Sequence, residues 1–332
     1  MKTRSQLETI GIEDHSEHRK PVRLLSLAIL AGGLTILLFT LLNAEAAVDQ
    51  PDFCRRTAQD ALTSCRAGAQ SDYWVALGKC DNLANPAEQQ ACRRQAAADL
   101  HDARQTCGAE HDVRLTACQR LGGAPYDPVI DPSNFVTRVD NSYFPLTPGT
   151  TFVYEGQTQQ GFEHVEFAVT HNTRVILGVT CVEVHDTVTT DGQLTEDTLD
   201  WFAQDRDGNV WYFGENTHEL QDGLITTIDG TFMAGVNGDK PGIIMKTNPA
   251  IGDFYRQEFS LENAEDFADT LSLTETVTVP VGTFHNCLKS QETTPLEPDL
   301  LEHKFYAPGV GNVLTVDAIT GDRSELVQIR QQ

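Results

Sequence analysis

Three patterns of hydrophobic and polar positions divide the chain. An uncharged, strongly apolar run of 21 residues occupies positions 24–44. From 48 to 123 the apolar positions are mostly alanines scattered among Gln, Arg and Asp, which is typical of helix. From 124 onward, short runs rich in Thr, Val, Phe and Tyr are separated by Gly, Pro, Asp and Asn, which predicts many antiparallel strands. We therefore divide the chain into a leader (1–23), an apolar segment (24–44), a helical segment (48–123) and a β domain (124–332).

The apolar segment 24–44 is long enough to cross a bilayer. Basic residues at 19, 20 and 23 precede it, which places the leader in the cytoplasm and everything after the segment outside. Ala44-Glu45-Ala46 also forms a small-x-small cleavage site. The segment is thus either an uncleaved signal-anchor or a cleaved signal peptide. Both alternatives predict an extracytoplasmic protein that is membrane-anchored, periplasmic or secreted, and both deliver it to an oxidising compartment.

The cysteines of the helical segment are spaced symmetrically. They lie at 54, 65, 80, 92, 107 and 118, so their separations of 11, 15, 12, 15 and 11 read the same in both directions about Pro86. Two antiparallel helices joined near Pro86 would bring each cysteine opposite its symmetry mate, and spacings of 11 and 15 keep each trio on one helix face. We predict a disulfide-linked α-hairpin with the bridges Cys54–Cys118, Cys65–Cys107 and Cys80–Cys92.

These cysteines allow two other interpretations. A zinc site needs cysteines two to four residues apart, and the segment has no such pair. A three-helix stack with other pairings remains an alternative, since Gly68 or Ser71-Asp72 could break the first helix. Asn85-Pro86 favours a helix stop and restart, and Gly122-Gly123 favours the end of the second helix.

The β domain is predicted to be a barrel, a half-barrel or a sandwich. As architecture alone it resembles exported β domains of the lipocalin-like or lipoprotein-carrier type, and that resemblance implies no function. Its two cysteines, Cys181 and Cys287, are expected to form a fourth disulfide. The predicted strands are Thr151–Gln157, His164–Thr170, Thr173–Leu177, Val182–Thr189, Thr195–Gln204, Val210–Glu215, Gly223–Asp229, Gly242–Met245, Phe254–Phe259, Asp269–Val279, Leu288–Thr294, Glu302–Ala307, Gly311–Asp317 and Glu325–Ile329.

The clearest predicted hairpin runs from Trp201 to Glu215 around the turn Asp205-Arg-Asp-Gly208. Gly208 can take the left-handed conformation that such a turn requires. Pairing about this turn sets Trp201 near Tyr212 and Phe202 near Trp211. Both faces of the pair are then aromatic, so we expect it to be covered on both sides.

The charge of the chain is strongly negative and unevenly distributed. Lys and Arg number 24 against 48 Asp and Glu, for a net charge of −24. The β domain holds 33 of the acidic residues and only 10 of the basic ones. A surface of this sign excludes nucleic acid as a partner. The step in charge near residue 123 marks the expected domain boundary.

Few residues carry a recognisable chemical motif. The chain has no P-loop, Rossmann or G-x-S-x-G pattern, so we expect no cofactor. Asp205-x-Asp207-x-Asn209 begins like a calcium loop but lacks the glycine and glutamate that must follow, and the histidines show no metal-binding spacing. We therefore predict no metal site, although His164 or His185 could bind a metal if other strands supplied further ligands.

Two sets of residues are candidates for a site. For hydrolysis, Glu215 could pair with Glu258 or Glu265 between aromatic walls. For ligand binding, Lys240, Lys246 and Arg256 form a rare basic cluster that could orient an anionic group. The predicted ligand-binding residues are Trp201, Trp211, Lys246, Tyr255 and Arg256.

The favoured function is that of an exported cell-envelope protein. Its β domain would bind a small molecule, a glycan or a protein without turning it over, and the disulfide-rich hairpin would carry that domain. The alternatives are an extracytoplasmic hydrolase that uses paired carboxylates and a structural surface or adhesion protein. An uncleaved segment 24–44 would add the membrane as a partner.

Overall fold

A computed structural model describes residues 52–331. The leader 1–23 and the apolar segment 24–44 lie outside this range, so their predicted roles stay predictions. Over residues 52–331, neither long helix has a stretch apolar and long enough to cross a membrane.

The first part of the described chain is an α-hairpin. Helix α1 spans Phe53–Asp81 and helix α2 spans Pro86–Leu121. Asp52 caps α1 by accepting a hydrogen bond from the backbone of Arg55, and Asn85 caps α2 with Pro86 in its first turn. Gly122 ends α2 with φ of 84°, a conformation that favours glycine. The predicted stop, restart and end of the helices are confirmed.

Three disulfides join the two helices, with the predicted pairing Cys54–Cys118, Cys65–Cys107 and Cys80–Cys92. Most helix positions outside the bridges are exposed alanine or polar residues, so the hairpin has little apolar core of its own. The bridges compensate by restricting the unfolded chain. Disulfides of this density are typical of proteins outside the cytoplasm.

The rest of the chain forms strands after a short 3₁₀ turn at Pro132–Asn134. The strands are β1 Phe135–Val136, β2 Val139–Asn141, β3 Phe144–Leu146, β4 Thr150–Gln157, β5 Phe162–Ile176, β6 Val179–Thr190, β7 Gln193–Asp205, β8 Val210–Gln221, β9 Leu224–Thr227, β10 Phe232–Met233, β11 Lys240–Met245, β12 Phe254–Arg256, β13 Glu258–Phe259, β14 Phe267–Val279, β15 Gly282–Thr293, β16 Glu302–Ala307, β17 Gly311–Asp317 and β18 Arg323–Gln331.

Thirteen of these strands form a nearly closed antiparallel barrel. Their order is β12-β14-β15-β16-β17-β18-β4-β5-β6-β7-β8-β11-β13. The two outermost strands, β12 and β13, are separated along the chain only by Gln257. The barrel therefore nearly closes on one segment, residues 254–259, which we call the seam. Of the architectures predicted for the β domain, the structure has the barrel.

Most predicted strands are present. The predicted strand Phe254–Phe259 is two strands, β12 and β13, which pair with different neighbours. The predicted strands His164–Thr170 and Thr173–Leu177 are one strand, β5, whose register against β6 shifts between Val169 and Thr173. The β7–β8 hairpin has its predicted turn, and Gly208 has φ of 91°. Its predicted register is wrong by one step from the turn onward, because Ala203 pairs with Trp211 and Phe202 with Tyr212. An irregularity at Trp201/Phe202 then shifts Trp201 further, so that it pairs with Gly214.

The hairpin strands β7 and β8 are covered on both faces, as predicted. Phe202 and Tyr212 belong to the cluster that fills the barrel. Trp201 and Phe213 belong to a second cluster on the outer face, which Phe135 covers from the segment before the barrel.

The predicted Cys181–Cys287 disulfide is wrong, because both thiols are free and buried. Cys181 lies on β6 in the outer cluster, whereas Cys287 lies on β15 in the cluster that fills the barrel. Five strands separate β6 from β15 in the barrel order. The spacing of two cysteines along the sequence carries no information about that order.

The α-hairpin packs against the barrel beside the seam. Arg114 of α2 forms a buried ion pair with Glu265, with Nη2 2.7 Å from Oε1. Arg120 forms an ion pair with Asp269 of β14, and its guanidinium lies over the ring of Phe254 at 4.4 Å from the centroid. The base of the hairpin is thus held to β14 through Asp269, to the seam through Phe254, and to the loop before β14 through Glu265.

Candidate functional site

The barrel encloses a cavity of about 500 Å³. Side chains alternate along each strand, so every second residue points inward. On β7 the inward positions run from Phe202 through Asp200 and Thr198 to Glu196. On β16 they run from Tyr306 through Lys304 to Glu302. The interior therefore changes along the strands from aromatic to charged.

The aromatic end is closed by packed rings. Phe144 of β3 inserts against the barrel wall, with its ring centroid 5.3 Å from that of Phe202 and 6.4 Å from those of Phe167 and Tyr306. Phe202 stacks on Tyr212 at 4.7 Å. These rings form an apolar floor beneath the cavity.

The other end is lined by carboxyl groups. Eight acidic side chains and a single basic one, Lys304, reach the cavity wall. The acidic residues are Asp186, Glu196, Asp200, Glu215, Glu258, Asp266, Glu292 and Glu302. The side chains of Lys304 and Glu302 are 28% and 31% exposed, so the cavity reaches solvent at this end.

Lys304 binds two of the eight carboxylates. Its Nζ lies 2.8 Å from Glu292 and 3.4 Å from Glu302. Burial acts to lower the pKa of Lys304, but these two charges outweigh burial and hold that pKa well above its usual value. Ser290 and Tyr306 each donate a hydroxyl hydrogen bond to Glu292, at 2.9 and 3.0 Å. Glu292 is thus fully engaged, and no further cation from the described residues lines the cavity.

Asp200 and Glu215 lie on neighbouring strands in register with each other. Tyr212 donates a hydrogen bond of 2.5 Å to Asp200. Burial raises the pKa of Asp200 to about 7 in spite of that bond. Burial, reinforced by the charge of Asp200, raises the pKa of Glu215 to about 8.

A chain of short contacts joins Glu215 to Glu196. The Oγ1 atoms of Thr217 and Thr198 are 2.9 Å apart, Thr217 lies 3.0 Å from Glu215, and Thr198 lies 2.8 Å from Glu196. These three contacts need three protons, and the two hydroxyls supply only two. A protonated carboxyl group at either end, Glu215 or Glu196, would supply the third, and burial raises the pKa of both.

Three further carboxyl groups are buried without enough partners to stabilise their charge. Burial and the charge of Asp266 raise the pKa of Glu258 well above its usual value, and burial raises that of Asp266 to about 6. Asp186 has a buried oxygen, Oδ1, without a hydrogen-bond partner among the described residues. Burial and the charges of Asp200 and Glu196 raise its pKa well above the usual value. The cavity wall therefore holds more carboxyl groups than its single lysine can stabilise in their ionised form.

The structure separates the three predicted catalytic carboxylates. Glu215 and Glu258 both line the cavity. Glu265 does not, because it accepts three hydrogen bonds from Arg114 at the hairpin–barrel contact.

The five predicted ligand-binding residues do not line this cavity. Trp201 and Trp211 pack in the outer cluster, and the indole of Trp211 donates to Asp205 at 2.9 Å. Lys246 pairs with Asp253 at 3.0 Å and lies over Tyr255, while Arg256 is buried near the base of the hairpin.

Sequence reasoning missed most of the acidic wall. The signal was the period of two that places Glu196, Thr198, Asp200 and Phe202 on one face of β7, and the same alternation on β16. Charged residues that alternate along a strand on the same face as aromatic core residues would have indicated the acidic wall.

The described residues do not form a metal site. No group of three or more His, Cys, Asp or Glu side chains within residues 52–331 has the geometry to hold a metal ion. His164 lies beside Glu155 and Glu166, and His185 lies 2.7 Å from Asp197. The turn Asp205–Asn209 is closed by hydrogen bonds from Asn209 to Asp205.

Comparison with known proteins finds no matching family model and no matching curated protein. Two solved structures are similar. One is a candidate exported protein with a YmcC-like fold from Bacteroides fragilis, at 16% identity and a TM-score of 0.35, covering 57% of this chain and 99% of that one. The other is a candidate lipoprotein from Parabacteroides distasonis, at 17% identity and a TM-score of 0.32, covering 57% and 98%. Likeness at this level carries no argument about function.

Proposed function

We propose that this chain is an extracytoplasmic binding protein whose barrel cavity takes a small organic cation, with a basic amine and an apolar body. The observation that carries the proposal is the wall of eight carboxyl groups and one lysine above an aromatic floor. The three disulfides support a location in an oxidising compartment.

The electrostatics favour a cation. Lys304 serves Glu292 and Glu302, which leaves six carboxyl groups without a basic partner on the cavity wall. Burial makes their ionised forms unfavourable. An ammonium group among them would form charge-assisted hydrogen bonds and allow some to ionise. The same groups would repel an anion.

The floor favours an apolar body. Phe144, Phe202 and Tyr212 line the cavity, and their rings pack against one another. Each Å² of apolar ligand surface that is removed from water there contributes about 25 cal/mol of favourable free energy. A volume of about 500 Å³ is that of a typical small-molecule site.

The test compares two probes that share an apolar body and differ in their head group, one charged and one neutral. The full-length protein is titrated with 2-phenylethylamine and with its neutral analogue 2-phenylethanol. We expect the amine to bind at least about tenfold more tightly, since a charge-assisted hydrogen bond contributes about 1.5–3 kcal/mol. Equal affinity for the two probes, or binding of neither, would contradict the proposal.

A second candidate function is acid–base hydrolysis of a glycosidic bond. Glu215 and Glu258 converge on one cavity, and burial raises the pKa of both. One could act as the protonated acid and the other as base or nucleophile. Chromogenic glycosides test this: hydrolysis that Glu215→Gln and Glu258→Gln each abolish would establish it, and hydrolysis unaffected by both would remove it.

A further inference from the structure

A second cavity lies between the base of the α-hairpin and the seam of the barrel, with a volume of about 310 Å³. Phe53 and Cys54 of α1 line one side, Tyr126 of the connecting segment lines another, and Arg256 and Phe259 of the seam line the third. It shares no lining residue with the barrel cavity.

The charge of this second cavity is opposite to that of the protein. Its lining residues include two bases, Arg256 and Lys240, and no Asp or Glu within the part of the chain that the structure describes. In a β domain with 33 acidic and 10 basic residues, such a wall is unusual. Lys240 is held in place by Asp127 and by the carbonyl of Tyr126, at 2.6 and 2.8 Å from its Nζ.

Arg256 is buried without an oxygen acceptor. The residue is 9% exposed, and its Nε and Nη1 have no hydrogen-bond partner among residues 52–331. Its Nη2 has only the sulfur of Cys54, at 4.0 Å. The nearby carboxylate of Glu265 is already occupied by Arg114 and by the backbone N–H of Glu262. A buried guanidinium with free donors is costly unless an acceptor is supplied.

Aromatic rings hold the guanidinium but do not replace an acceptor. Its central carbon lies 5.4, 4.9 and 4.8 Å from the ring centroids of Tyr126, Phe259 and Phe267. These contacts fix the position of Arg256 and stabilise its charge. They leave the edge of the guanidinium group, where its N–H groups point, available for a planar oxyanion.

We propose that this hairpin–seam cavity binds an organic carboxylate with a small apolar body. The carboxylate would take the edge of Arg256, with Lys240 adding positive charge, and the apolar body would lie against Phe53, Tyr126 and Phe259. The proposal is independent of the cation site, because the two cavities differ in residues and in charge.

The probe is benzoate, with benzyl alcohol as its neutral analogue and inorganic phosphate as an anion without an apolar body. Titrated into the full-length protein at constant ionic strength, benzoate is expected to bind, while the alcohol and phosphate bind at least about tenfold more weakly. Benzoate is expected to slow amide exchange at 53–57 and 254–259 and not at 196–217. No binding of benzoate, or tighter binding of phosphate, would overturn the proposal.

Variants distinguish binding of benzoate in this cavity from binding elsewhere on the protein. Arg256→Met is expected to weaken benzoate binding by at least about 20-fold, and Arg256→Lys by about tenfold, because lysine keeps the charge and loses the planar fork. Lys240→Met, which leaves Arg256 in place, is expected to weaken it about threefold. Lys289→Met, on β15 away from this cavity, is the control and should bind as the wild type does. Unchanged binding in Lys240→Met and in a folded Arg256 variant would overturn the proposal.

Discussion

Arg114 of the second helix donates three hydrogen bonds to Glu265 of the barrel, although both side chains are almost wholly buried. The pair lies at the contact between the hairpin and the barrel. Glu110 of the same helix adds a second carboxylate 3.2 Å from Arg114. Glu265 thus serves docking, and it takes no part in lining the cavity.

Glu265→Gln should destabilise the protein by about 3 kcal/mol, because it leaves the buried Arg114 with only Glu110 as an ionic partner. Urea unfolding followed by circular dichroism measures this. The double variant Arg114→Met, Glu265→Met should recover much of the loss, since no unpaired charge is then buried. If the single variant is as stable as the wild type, the ion pair contributes nothing to docking.

The stability of the unliganded protein should fall as the pH rises from 5 to 8.5. The folded pKa values of Asp200 and Glu215, about 7 and 8, lie above their unfolded values. The native state therefore holds protons that the unfolded state has released, and this stabilisation is lost as the pH rises through the folded values. The charge of Glu196 also raises the pKa of Asp200 and that of His185 lowers it, and burial remains the largest cause of its rise.

Glu215→Gln should flatten this dependence and be more stable than the wild type at pH 8.5, on the order of 2 kcal/mol, because an amide has no charge to desolvate. Melting temperatures across the pH range measure it. Glu297→Gln, in an exposed loop outside the cavity, is the matched control and should follow the wild type. A wild-type profile that rises toward pH 8.5 would contradict the raised pKa values.

Two free thiols should be detected in the protein without any reductant. Cys181 and Cys287 are both buried, and burial raises the pKa of Cys181 to about 12. A thiol reagent should therefore find none in the native protein and two after denaturation. Detection of none after denaturation would mean that the two cysteines are bridged after all.

Binding of an organic cation to the barrel cavity should release protons. A ligand ammonium favours the ionised forms of Asp266, Asp200 and Glu215, so it lowers pKa values that lie between about 6 and 8 in the unliganded protein. Affinity for 2-phenylethylamine should then increase from pH 5.5 to pH 8.5. Calorimetry in buffers of different ionisation enthalpy counts the released protons; zero release would show that these carboxyl groups do not contact the ligand.

The hairpin could be predicted in detail because the residues that determine it are close together in the sequence. Six cysteines with symmetric spacing, a central Pro86 and a terminal Gly122 each point to the same two antiparallel helices. The strands were predictable for the same reason, from alternation and turn residues. The prediction of a Cys181–Cys287 bridge was wrong because a bridge depends on which strands are neighbours around the barrel. That order is set by contacts between residues far apart in the sequence.

The candidate site was predicted only in part. Glu215 and Glu258 were singled out for their acidity, and the fold does bring both to the cavity. Glu265, seven residues after Glu258, is directed instead to Arg114 of the hairpin. The acidic wall as a whole could not be predicted, since a strand's inward face is defined only once its neighbours and the bulges at Val169 and Trp201 are known.

The most direct test of the cation site is calorimetric titration of 2-phenylethylamine into the wild type and into the double variant Asp200→Asn, Glu215→Gln, with Glu297→Gln as control. The two buried carboxyl groups line the cavity and the control does not. We predict that the double variant loses at least about tenfold in affinity while keeping its fold, and that the control binds as the wild type does. Equal affinity in all three proteins would contradict the account.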